Sequence, residues 1–182
     1  MENPTSSFIR PDEFWRELGL QAGQVVVHLG CGAGFYLVPA AKLVGRMGKA
    51  IGIDLRSDML EEAESRARRA NLSDVVQTVR ANLEESNGSK LTDSSADWVL
   101  VANILHQSNP VAILTEAKRI NKDTGKIVVI EWDVIATPLG PPPSQRLSKD
   151  KVKEIASSVG LNIVQNFAPS PYHYGLTLTE AV

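Results

Sequence analysis

Residues 25–37 read VVVHLGCGAGFYL. A β-branched run passes through His28 and Leu29 into glycines at alternate positions: Gly30, Gly32 and Gly34. The run is too short for a helix and suits a buried strand. A strand that stops and bends sharply into a helix needs backbone free of Cβ atoms, which the glycines supply. The helix start then directs free N–H groups over the strand ends, where open parallel sheets bind ligands. The stretch therefore predicts a ligand against bare backbone.

Four more runs of the same kind follow at regular spacing: Ala50–Asp54, Val75–Arg80, Trp98–Asn103 and Lys126–Trp132. Helical patterns separate them. Phe35–Val44 is apolar on most sides. Ser57–Asn71 opens on Ser57 as its expected cap, with Glu61 and Glu62 early and Arg66, Arg68 and Arg69 late, an order that suits the helix dipole. Asn109–Ile120 tolerates Pro110 in its first turn. Strand and helix in alternation mean a parallel sheet with helices on both faces. The end differs. PLGPPPSQRLS, residues 138–148, has four prolines and is neither helix nor strand. A helix over Lys149–Val159 follows, capped by Ser148 and stopped by Gly160. Leu161–Ala168 and Tyr172–Leu178 are joined so tightly that they must pair antiparallel.

The 182 residues suit one domain, and 43% hydrophobic with 22% charged residues is an ordinary globular balance. A net charge of -2 argues against a nucleic-acid partner, which usually needs a basic face. No run is long and apolar enough for a bilayer, and the start MENPTSSFIRPDEF lacks the pattern of a signal peptide. A single cysteine, Cys31, excludes an internal disulfide framework and a multi-cysteine zinc site. A cytoplasmic protein, monomeric or homodimeric, is expected.

The glycine spacing is G-x-G-x-G; the third glycine of a dinucleotide fingerprint would fall at Phe35. IGIDL ends the next strand on Asp54, whose carboxylate can accept from both hydroxyls of a ribose. That acid serves either ligand class. Taken together, LGCGAG, GIDLRSDML, RANLEE, DWVLVANILHQ and GKIVVIEW, in this order, resemble the motifs of class I S-adenosylmethionine-dependent methyltransferases. The likeness is greatest to the small ubiquinone- and menaquinone-biosynthesis type. It implies a Rossmann-like seven-stranded, mostly parallel sheet with helices on both faces and an antiparallel last strand, in one domain over residues 1–182. It also implies S-adenosylmethionine as cofactor, S-adenosylhomocysteine as product, and methyl transfer to a small molecule.

By the same resemblance, Gly30, Gly32 and Gly34, with Cys31 in their turn, line the methionine and ribose portion. Asp54 holds the ribose, Leu55 and Met59 cover the adenine, Asn82 and Leu83 meet its edge, and Asn103 lies beneath the sulfonium. His28 stands where the family has an acid for the cofactor's ammonium, and Asn82 where it often has one for the adenine. Those departures keep open a methyltransferase-like binding module without catalysis. A nicotinamide-dependent oxidoreductase is the other alternative, and Phe35 speaks against it. Methyl transfer from a sulfonium needs alignment and exclusion of water, and needs a base only when the acceptor must lose a proton. His106, Tyr172 and His173 are the candidate catalytic residues, and Phe8, Tyr36 and Trp132 are expected to border the acceptor with them. Residues 1–20 are expected to form a helical flap, and the proline-rich loop 137–148 a lid, with Leu139–Leu147 roofing an acceptor bound over the carboxyl ends of the fourth and fifth strands.

Overall fold

The structure is a computed structural model and describes residues 9–181. The strands are β1 (Val25–Leu29), β2 (Lys49–Asp54), β3 (Val76–Arg80), β4 (Ala96–Ala102), β5 (Asn121–Trp132), β6 (Leu161–Ser170) and β7 (His173–Glu180). They form one seven-stranded sheet in the order β3-β2-β1-β4-β5-β7-β6. The pairs among β1 to β5 are parallel, and β7 runs antiparallel to both β5 and β6. The fold class is therefore the expected Rossmann-like one. The order reverses between β1 and β4, which opens a crevice beyond their carboxyl ends.

Period-two alternation sorts the strands onto two cores. Val27, Leu29, Val99, Val101 and Val129 face one side. There they meet Ile113, Leu114, Ala117 and Ile120 of α4 (Pro110–Ile120), and Val152, Ile155 and Ala156 of α5 (Lys149–Ser158). Val26, Leu100, Val128 and Ile130 face the other, against α1 (Pro11–Leu18), α2 (Leu37–Val44) and Leu60 of α3 (Ser57–Arg69).

The helix ends follow their side chains. Asn109 Oδ1 accepts from the N–H groups of Val111 and Ala112 at 3.1 and 3.2 Å, and Ser148 Oγ from that of Lys151 at 3.2 Å. The expected cap at Ser57 is corrected: Arg56 holds the cap position without a side-chain bond, and Ser57 is the first helical residue. Asp54 Oδ1 does the local work instead, accepting from the Arg56 N–H at 3.0 Å. Helix α2 begins two residues later than Phe35, because Phe35 and Tyr36 complete the turn. Pro169 lies inside β6 rather than in the connection; an edge strand with a register shift beside it tolerates the missing donor.

Of the expected flap, α1 is anchored. Trp15 is fully buried and its indole N–H donates to the Tyr36 carbonyl at 2.9 Å. Phe8 lies outside the described residues. The proline-rich segment is wound around Arg146, whose guanidinium donates to the carbonyls of Asp133, Ile135, Leu139 and Pro141 at 2.7–3.0 Å. Its face lies over Trp132, 5.3 Å from the ring centre. No described helix is long and apolar enough to cross a membrane.

Candidate functional site

A cavity of about 600 Å³ opens beyond the carboxyl ends of β1, β2, β3 and β4. The turn after β1 forms its floor. The N–H groups of Gly30 and Cys31 both donate to the Ile53 carbonyl, at 2.8 and 2.9 Å, which ties the turn to the end of β2. Gly30 has φ +71°, and a Cβ there would collide with the Ile104 side chain. Gly32 has φ +50°, and a Cβ there would meet nothing within 4 Å. Its bare backbone therefore faces open space in the cavity. Gly34 is different: a Cβ would lie 3.1 Å from that of Ala63, so this glycine lets α3 approach.

Asp54 joins the turn to the second strand. Its Oδ2 accepts from the Gly32 N–H at 2.9 Å and its Oδ1 from that of Arg56 at 3.0 Å. Each oxygen retains acceptor capacity, since an ionised carboxylate offers about four lone-pair sites. Leu55 and Met59 follow on the same wall. Leu55 is 58% exposed despite being apolar, as expected of a cover for a flat ligand.

After β3, Asn82 and Leu83 line the cavity with Glu84. The Asn82 amide is committed to its own loop: Oδ1 accepts from the Glu84 N–H and Nδ2 donates to Glu85 Oε1, both at 3.1 Å. Glu84 Oε1 accepts from the Asn109 N–H at 2.6 Å. After β4, Asn103 adopts φ +56°, uncommon for a residue with a side chain. Its Oδ1 is buried at the cavity wall and has no hydrogen-bond partner among the described residues.

Eight of the cofactor residues expected from sequence thus share one cavity: Gly30, Gly32, Asp54, Leu55, Met59, Asn82, Leu83 and Asn103. His28, Cys31 and Gly34 do not line it. His28 sits within the sheet between Gly52 and Leu100, with its ring edge-on to Tyr36 at 5.8 Å. Neither ring nitrogen has a partner among the described residues, and burial lowers its pKa to about 3, so the imidazole is neutral. Cys31 is buried, and burial, with Asp54 nearby, pushes its thiol up to about 12. It is a packing residue and not a nucleophile.

The candidate catalytic residues separate. His106 stands on a 3-10 turn, Leu105–Gln107, directly after the cavity residues Asn103 and Ile104. Its Nδ1 is 2.8 Å from Oε2 of Glu131, which is fully buried, and Glu131 Oε1 accepts from the Leu105 N–H at 2.7 Å. Sequence reasoning assigns Glu131 no role; its one signal is an acid within the apolar strand KIVVIEW. Glu84 likewise lies inside the RANLEE motif without an expected role. His173 pairs with Trp132 across the β5–β7 ladder and stacks on it at 4.1 Å, while its Nδ1 is 2.8 Å from Ser170 Oγ. Burial, then Arg146, lowers its pKa to about 4. Glu131 and Trp132 are consecutive on β5 and point to opposite faces, so His106 and His173 lie on opposite sides of the sheet. Tyr172 is held through its backbone: its carbonyl accepts from the Asp133 N–H at 2.8 Å. None of Tyr36, His106, Trp132, Tyr172 and His173 lines the cavity described above.

Comparison with known proteins places this arrangement. A family model described as a methyltransferase domain matches residues 20–170. A demethylmenaquinone methyltransferase of Lactobacillus johnsonii is 29% identical over 130 residues, covering 70% of this chain and 51% of that protein. An uncharacterized 37.1 kDa protein from a Streptomyces fradiae transposon is 34% identical over 119 residues, covering 64% and 33%. The chain thus spans a third to a half of the length of these curated relatives. The crystal structure of a SAM-dependent methyltransferase from Aquifex aeolicus superposes with TM-score 0.85 at 28% identity, covering 93% of this chain and 89% of that one.

Proposed function

The chain belongs to the methyltransferase-domain family, and on that premise we propose that it transfers a methyl group from S-adenosylmethionine to a small-molecule acceptor. The observation that carries the reading is the Asp54 carboxylate, held at the cavity by the Gly32 and Arg56 amides beside backbone with no Cβ. The residues present fit the cofactor. Open space over Gly32 admits a close-lying chain, and the buried Asn103 Oδ1 lacks a partner that a bound ligand can supply. Asp54 would accept from the ribose hydroxyls. Leu55 and Met59 would cover the base, Asn82, Leu83 and Glu84 would border its edge, and Gly30, Gly32 and Asn103 would hold the amino-acid and sulfonium end. Bound there, the sulfonium supplies an electrophilic methyl group with a good leaving group. The protein's own task is alignment and dryness.

A small acceptor is proposed over nucleic acid because the net charge is -2. The demethylmenaquinone methyltransferases among the relatives make a quinol ring the first acceptor to try. Calorimetry with S-adenosylhomocysteine tests the cofactor reading: binding is expected, and none at millimolar ligand overturns it. One observation favours a second reading, a cofactor-binding module without turnover. The neutral, buried His28 brings no negative charge to an ammonium group. Product-cofactor affinity that rises on His28→Asp, with no labelled methyl transferred to any component of a metabolite extract, would favour that module; micromolar binding by the unmodified protein removes its main support. The nicotinamide alternative loses its ground, since the family matched is one of methyltransferases.

A further inference from the structure

Asn82 stands where the resemblance expects an acid for the base, yet its amide is engaged at both ends within its own loop. Its Oδ1 accepts from the Glu84 N–H and its Nδ2 donates to Glu85 Oε1, both at 3.1 Å. The loop is also tied down behind it. The Ala81 N–H donates to the Asp54 carbonyl at 3.1 Å, and a Cβ at Gly88 would collide with the Asn82 carbonyl. Glu84, two residues further on, lines the same cavity. Its Oε1 accepts from the Asn109 N–H at 2.6 Å, which ties the carboxylate across to the start of α4. Its Oε2 has no hydrogen-bond partner among the described residues. A long side chain loses rotamer freedom when a ligand fixes it, and this tether takes part of that loss before a ligand arrives.

From this placement we infer that Glu84, and not Asn82, reads the base of the bound cofactor, and that its carboxylate selects a 6-amino over a 6-oxo purine. The inference rests on the methyltransferase reading above. It follows from matching donors to acceptors along the cavity. S-adenosylhomocysteine carries donors at its ammonium, at its ribose hydroxyls and at the amino group of its base. Asp54, at the end of β2, takes the hydroxyls in that reading. β3 lies beyond β2 at the edge of the sheet, so the loop after β3 meets the part of the ligand beyond the ribose, which is the base. Of the carboxylate and amide side chains with which that loop lines the cavity, Glu84 has the oxygen that is not engaged. A carboxylate offers acceptors only. It therefore accepts from a 6-amino group and leaves a 6-oxo group facing it without a donor. An amide turns to serve either group, but that of Asn82 is fixed by its two bonds.

The test is titration calorimetry of the full chain with S-adenosylhomocysteine and with S-inosylhomocysteine, which carries oxygen in place of the amino group. The wild type is expected to bind the adenosyl ligand at least about tenfold more tightly, the effect of one hydrogen bond to a charged group. Glu84→Gln keeps the length of the side chain and an oxygen for the Asn109 N–H, but its amide can serve either base. It is expected to cut the preference to about threefold or less, by weakening S-adenosylhomocysteine while S-inosylhomocysteine binds no more weakly than before. Glu84 is exposed, and urea unfolding checks that the variant is folded. A preference that survives Glu84→Gln overturns the inference. So does equal weakening of both ligands, which would mean a loosened wall and not a lost reading group. A wild type that binds both ligands equally overturns it as well. If neither ligand binds at millimolar concentration, the cofactor reading has failed; if S-adenosylhomocysteine binds and its base preference does not depend on Glu84, only this assignment has.

Discussion

Replacing Asp54 with Ala is the most informative single perturbation, because that carboxylate has a structural role and, in the proposed function, a binding one. Structurally it accepts from the Gly32 and Arg56 amides at 2.9 and 3.0 Å. Both lie where water can replace the lost acceptor, so the cost to folding should stay near 1–2 kcal/mol. In binding, two hydroxyls of a ribose would each donate to a charged acceptor. Hydrogen bonds to charged groups contribute about 1.5–3 kcal/mol each, so two give at least about 3 kcal/mol, or roughly 100-fold in affinity. Asp54→Asn keeps one oxygen acceptor and should lose about half of that free energy. The assay is titration calorimetry with S-adenosylhomocysteine, alongside urea unfolding without ligand. An Asp54→Ala protein that is folded and binds within threefold of the wild type would refute the reasoning. Asp54 would then be a turn residue only.

Gly30→Ala should destabilise by about 2–4 kcal/mol, since a left-handed backbone angle and a clash with Ile104 add. Gly32→Ala should cost only about 1–2 kcal/mol but reduce S-adenosylhomocysteine affinity more than tenfold, because its Cβ would enter open cavity; equal ligand affinity in the two variants would contradict this. His28 is neutral in the fold with a pKa of about 3, while the unfolded chain binds a proton near 6.5. Stability is therefore kept above pH 6.5 and falls as pH drops toward 3, by about 2 kcal/mol between pH 6.5 and 5. Urea unfolding of His28→Leu should show a flatter pH profile by that amount, and parallel profiles would refute the burial argument. Arg146→Lys should raise proteolysis within residues 133–146, because an ammonium cannot serve four carbonyls in a planar fork; unchanged cleavage would show that the prolines alone hold the loop.

Much of this protein is legible in its amino-acid sequence alone. The five apolar runs are local signals, and each forms a strand within two residues of its expected end, apart from the start of β5. The meeting of the glycine turn with Asp54 is legible for the same reason: it depends on backbone angles and on a hydrogen bond to the end of the very next strand. The antiparallel end follows from a connection too short for a crossover. Only tertiary structure decides which residues meet the cavity. His28 belongs to a strand with neighbours on both sides, so its ring enters the core beneath Tyr36. Gly34 uses its missing Cβ to admit Ala63 of α3, a contact between elements that sequence spacing does not reveal. Local pattern also allows His106, Tyr172 and His173 to share one site, but the alternation of β5 sends the partners of the two histidines to opposite faces. Glu131 shows the limit most clearly. In sequence it is one acid in an apolar strand, 25 residues from His106. It gains a partner only because β4 and β5 pair in parallel and bring their carboxyl ends together.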